Sequence, residues 1–145
     1  MNISIDKTTL LTNIEEEISR VASRAYAEDG SSLYDAIVKK SRDGSFIDRE
    51  VSKATAVVQS ACGKYLDMSS AQVEQLISFG LTLTERKKPI TYYESLLNDI
   101  LRDLVVARYL DMVQQVEQAK RYDESAASSL TLFVKELYSK TPPIR

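Results

Sequence analysis

Apolar side chains recur at helical spacing over most of this chain and at strand spacing over one short stretch. Leu10, Ile14, Ile18, Val21 and Ala25 follow one another at intervals of four and three, which puts them on one face of a helix predicted over 7–27. Thr12 with Glu15 adds a capping-box start within it, and Gly30 is its stop signal. Ser31 or Ser32 caps a short second helix carrying Leu33, Ile37 and Val38. Asp48 caps a third, predicted over 48–66, with Val51, Ala54, Val58, Ala61, Cys62 and Tyr65 on one stripe and Ile47 as a staple before it.

The period then changes from 3.6 to two. Ile77, Phe79, Leu81 and Leu83 alternate with Ser78, Gly80, Thr82 and Thr84, the pattern of a strand with one buried face. A lone strand leaves its backbone groups unpaired. The segment therefore folds as a hairpin through 67–70 or pairs with another chain. Arg86, Lys87, Lys88 and Pro89 end it, either as a solvated turn or as a phosphate contact at a DNA channel.

Thr91 to Glu94 reads as a capping box that opens the strongest helix of the chain. Leu96, Leu97, Ile100, Leu101, Leu104, Val105 and Ala107 fill nearly half of its wheel. Further along, Val106, Tyr109, Leu110 and Val113 make the polar half apolar too. A helix apolar on both sides needs two covers. The second is either another subunit or the last helix of the same chain. Periodicity fades across 114–123, where the chain reverses, and Asp123 or Ser125 starts a final helix bearing Ala126, Leu130, Phe133, Val134, Leu137 and Tyr138. Pro142 and Pro143 stop it, leaving 141–145 as an extended tail. The expected fold is mainly α. It is a single domain over 1–145, a bundle of about five helices with a β-strand or hairpin arm (67–89) before the long fourth helix.

Composition narrows the function. The 145 residues hold 19 basic and 21 acidic side chains, no His and one Cys, for a formal charge of −2. This balance argues against a dedicated nucleic-acid binder, which needs a basic excess. The sequence offers no zinc-ligand cluster and no His-based acid–base pair, and its four glycines are too isolated to form a phosphate loop. No apolar run reaches the length of a membrane span, and no secretory signal is visible. Cys62 reads as a small core residue. Asp99 and Asp103, one turn apart, read as an ion-pair network with Arg102 at the surface rather than as ligands for Mg²⁺. Eight tyrosines, Tyr92, Tyr93, Tyr109 and Tyr138 among them, suit core edges and interfaces. No catalytic residue, metal or cofactor is expected.

The order of parts carries a resemblance. An N-terminal helical half leads to the strand from Ile77 to Arg86. The long helix follows, with Asp103, Ala107, Arg108 and Tyr109 in a D-x-x-x-A-R-Y pattern. A closing helix then carries Tyr122, Ala126 and Leu130 in a Y-x-x-x-A-x-x-x-L pattern. From Asp48 onward this resembles the small helical head–tail connector (adaptor or neck) proteins of tailed bacteriophages, closest to short proteins of phages and prophages of Bacteroides-like gut bacteria. The resemblance implies a non-enzymatic virion protein, assembled in the bacterial cytoplasm. It implies an oligomeric ring that joins portal to tail around the DNA passage. On this reading Ile77, Phe79, Leu81, Leu83, Val106, Tyr109, Leu110 and Val113 are the subunit contacts. Arg86, Lys87 and Lys88 would then be the DNA-channel contacts. Partners are further copies of the chain, portal and tail proteins, with no membrane. The alternative is a soluble intracellular helical adaptor or regulator that binds one partner protein.

Overall fold

A computed structural model describes residues 2–25, 30–31, 44–63, 71–73, 76–80 and 89–139. Among them are four helices and three strands. β1 (Asn2–Asp6) leads directly into α1 (Lys7–Ala22); α2 (Gly44–Cys62) follows, then β2 (Ala71–Val73) and β3 (Leu76–Gly80). The two longest elements, α3 (Ile90–Met112) and α4 (Val116–Ser139), close the bundle. The mainly helical class is as expected, with four helices among the described residues. The short helix predicted around Leu33, the proposed turn at 67–70 and the tail at 141–145 lie outside the described residues.

α1 buries Leu10, Ile14, Ile18 and Ala22, the stripe read from its spacing. It starts at Lys7 as expected and ends at Ala22, short of the expected 27; its N-cap is Asp6, whose carboxylate accepts from the Thr8 N–H at 2.9 Å, while Thr12 makes no second cap, its hydroxyl donating to the Thr8 carbonyl. α2 starts earlier than Asp48, at Gly44, and ends earlier, at Cys62, where Gly63 turns into the left-handed region at φ +54. Asp48 faces Lys7 across 3.4 Å instead of capping. Thr91 does not cap α3, because the helix begins one residue before it. The N-cap is Pro89, in extended conformation and with no N–H to satisfy.

The sheet corrects the reading of the strand. β3 is the central strand, antiparallel to β1 on one side and to β2 on the other. Ile3 lies opposite Phe79 and Ile5 opposite Ile77. Ile3, Ile5 and Ile77 all point into the core. β3 does belong to a hairpin, but its partner strand is Ala71–Val73 and the connection is 74–75. Leu76 to Ser78 are paired on both sides, so this stretch offers no edge to a neighbouring chain.

The chain also covers its own long helix. α1, α2, α4 and β1 all pack on α3. Val106, Tyr109 and Leu110, like Ile77, are 0% exposed in the single chain, and Val113 is half-buried against the core. The assignment of Ile77, Val106, Tyr109 and Leu110 as subunit contacts is therefore overturned: these four are the interior of the molecule. Of the two covers open to the polar half of α3, the chain's own last helix is the one observed. Tyr93 lies edge-on to Phe133 of α4 at 6.5 Å, and Tyr109 edge-on to Phe46 of α2 at 6.0 Å. Leu81, Leu83, Arg86, Lys87 and Lys88 lie outside the described residues, as does the side chain of Phe79.

Reversal between α3 and α4 takes three residues. Val113 ends α3, Gln114 adopts φ +66, and Gln115 donates to the Leu110 carbonyl at 2.8 Å while Gln114 donates to that of Asp111 at 3.1 Å. These two bonds form a Schellman motif, built on Gln where Gly is usual. α4 therefore starts at Val116, seven residues ahead of the expected Asp123.

Candidate functional site

α2, α3 and α4 leave a groove of about 610 Å³ between them. Each helix lines it with four residues at spacing i, i+3, i+4, i+7, which is one helical face. α2 brings Glu50, Lys53, Ala54 and Val57. α3 brings Leu104, Ala107, Arg108 and Asp111. α4 brings Val116, Ala119, Lys120 and Asp123. Every set thus holds one acid, one base, one alanine and one larger apolar side chain. Ala54, Ala107 and Ala119 are buried and form a floor too small to fill the space. Val57 and Val116 stand 48% and 61% exposed, so the walls carry apolar surface to solvent. Small residues below, aliphatic walls and a rim of both charge signs suit an amphipathic helix laid against the groove.

A polar seam runs along the other side of α4. The Tyr122 hydroxyl donates to the Glu17 carboxylate, and Arg20 donates both to Glu17 and, at 3.2 Å, to the Tyr122 oxygen. Burial pushes the Glu17 carboxyl up, but Tyr122 and Arg20 more than reverse it and hold its pKa below the ordinary value. Further along, Asp103 accepts from Arg102 Nε at 3.0 Å and from Ser125 Oγ at 3.1 Å, while Arg102 also reaches Asp99 at 3.3 Å. Asp103 is 4% exposed, and its burial outweighs these partners, leaving its pKa above the usual value. The predicted Asp99–Arg102–Asp103 network is present, but it is anchored in the interior rather than at the surface. Three helices meet in this seam, which fixes the register of α4 on α1 and α3.

Among the described residues, none of those read from the sequence as contacts lines the groove. The signal that could have found it is the repeated i, i+3, i+4, i+7 set of acid, base, alanine and aliphatic residue. That set was hidden because Ala54 and Ala107 read as core and Ala119 falls in the stretch where periodicity fades. Cys62 is buried, and burial pushes its thiol up to about 11, so at neutral pH it carries almost no thiolate. Among the described residues no cluster of three metal-ligating side chains forms, and no helix is long and apolar enough to cross a membrane. Comparisons with family models, curated proteins and solved structures return no match.

Proposed function

We propose that this protein is a non-enzymatic assembly subunit that uses the α2–α3–α4 groove to receive a neighbouring copy, in the manner of a phage neck ring joining portal to tail. The observation that carries this reading is the groove together with what lies across α4 from it. Leu132 is 45% exposed and sits about 160° round the helix from Val116 and about 180° from Asp123, at about 100° per residue. It belongs to a stretch, 125–134, without a charged side chain. Interface centres are depleted in charge in the same way. A concave apolar face on one side and a convex uncharged one on the other are the elements of a head-to-tail contact. Repeated with rotation, such a contact closes a ring. The resemblance of segment 48–145 to connector proteins supports the same architecture, whereas the buried strand and α3 surfaces do not contribute to it.

Two blocked surfaces test the proposal. Val57→Glu places a charge on the groove wall, and Leu132→Glu places one on the opposite face; both positions are exposed, so neither change disturbs the core. The wild-type chain is expected to give rings by native mass spectrometry, alone or on a portal ring. Each variant alone should be monomeric, and an equimolar mixture should stop at the heterodimer, since only one productive joint remains. A wild-type monomer that also ignores the portal ring overturns the reading. A one-to-one complex with a single unrelated protein would assign the adaptor role instead.

A further inference from the structure

The start of α4 and the end of α1 enclose a second cavity of about 210 Å³, distinct from the groove and of opposite character. Arg20 of α1 and Arg24, two residues past the end of that helix, line it from one side. Gln115, Gln118, Arg121 and Tyr122 line it from the other. Among the described residues no acidic side chain is in its wall. The carboxylate that touches this lining is Glu17, already engaged by Arg20 and Tyr122. Among the described residues, three guanidiniums stand against that one carboxylate, in a chain whose overall charge is −2. Among the described residues neither Arg24 nor Arg121 has an ion-pair partner.

We propose that this cavity is an oxyanion site for a phosphate group. Like charges gathered in a concavity repel one another, and an anion between them reverses the sign of every one of those interactions. The donors also select the shape of the anion. They approach from two helices, so a tetrahedral group with oxygens in several directions can engage them together, whereas a planar carboxylate saturates a single guanidinium fork. Two glutamine amides add neutral donors. Gln115, which lines the cavity, also caps α4, its carbonyl accepting from the Ala119 N–H at 2.9 Å, so the positive end of that helix lies beside the site. The cavity has room for roughly seven waters at about 30 Å³ each, enough for a phosphate with part of its hydration shell. An exposed arginine pair alone would be an ordinary surface. The excess of guanidinium over carboxylate among the described wall residues is what separates this place from the groove, where bases and acids are matched one to one.

The experiment is isothermal titration of the full chain with inorganic phosphate at fixed ionic strength, with acetate as the planar control. Saturable phosphate binding without acetate binding is expected. Arg24→Gln and Arg121→Gln should each weaken it roughly tenfold, the weight of one charge-assisted hydrogen bond. Lys135→Gln, further along the same helix and in the lining of neither cavity, should leave it unchanged. Circular dichroism of the exposed-site variants verifies that they fold. A short oligonucleotide, titrated in parallel, separates the sources. Tighter binding that is lost in the same two variants assigns a polynucleotide backbone; phosphate binding without oligonucleotide binding assigns a free ion or small phosphate ester. Absence of saturable phosphate binding, or equal binding by wild type and both arginine variants, overturns the site. That result leaves the groove reading untouched.

Discussion

Replacing Gln114 by Gly tests the geometry of the α3–α4 reversal. Gln114 holds φ +66, where an L side chain costs roughly 1–2 kcal/mol because its Cβ approaches the following carbonyl. Its side chain is exposed, so truncation loses no packing. Both Schellman bonds come from backbone N–H groups and survive the change. Glycine removes the strain but adds freedom to the unfolded chain, which costs about 0.4–1 kcal/mol. The difference is a gain of about 0.5–1 kcal/mol, equivalent to a melting shift of roughly 2–4 °C in a chain of this size. Gln114→Ala keeps the strain and should stay within about 0.5 kcal/mol of wild type. Gln114→Val, branched at Cβ, should lose about 1 kcal/mol. Urea unfolding followed by circular dichroism reads all three, with a shifted midpoint at constant slope marking a pure stability change. If Gly and Ala behave alike, or Gly destabilises, the turn is not held in the left-handed conformation in solution and the account of how α4 is aimed fails.

Gly63→Ala applies the same physics with the opposite sign. Open space surrounds the added Cβ at φ +54, so backbone strain alone should lower stability by about 0.5–1 kcal/mol in the same urea assay. Tyr122→Phe removes the hydroxyl shared by Glu17 and Arg20 and should cost about 1–2 kcal/mol; NMR titration should show the Glu17 carboxyl moving up toward its ordinary range. Asp103 and Glu17 should pull the pH profile in opposite directions. The raised pKa of Asp103 means the folded chain binds more protons, so its contribution to stability falls as pH rises from 3.8 through the folded value. The lowered pKa of Glu17 gives a contribution present above 4.5 and lost as pH falls through its folded value. In urea unfolding across the acidic range, Asp103→Asn should remove the first slope and Glu17→Gln the second.

The parts of this fold legible in the sequence are those where apolar residues are large and evenly spaced. Leu10, Ile14 and Ile18 mark α1, and Leu97, Ile100, Leu101 and Val105 mark α3; all are fully buried. β1 escaped because it offers only Ile3 and Ile5, too few to establish a period of two. Its absence from the reading left β3 without a partner and made an internal strand resemble an arm for a neighbour. The α3–α4 turn was displaced because Gln114 occupies the position where glycine would have marked it. That displacement left the first seven residues of α4 unread, and they carry three of its four groove residues and part of the arginine cavity.

A physical regularity connects these failures. Residues that announce themselves by periodicity do so because they are large and apolar, and a chain of this size consumes most such residues in its own core. What remains for partners is written in less conspicuous letters. In the groove these are three buried alanines that keep helices from closing the space, with two exposed valines on its walls. In the second cavity they are arginines that look like ordinary solvated charges until two helices bring them together. Surplus greasy surface on α3 was therefore the wrong place to look for a contact, because the strongest apolar helix is the one the fold can least leave uncovered. The contact surface is better sought where side chains are too small to finish the packing, and α2, α3 and α4 each supply that deficiency at the same helical spacing.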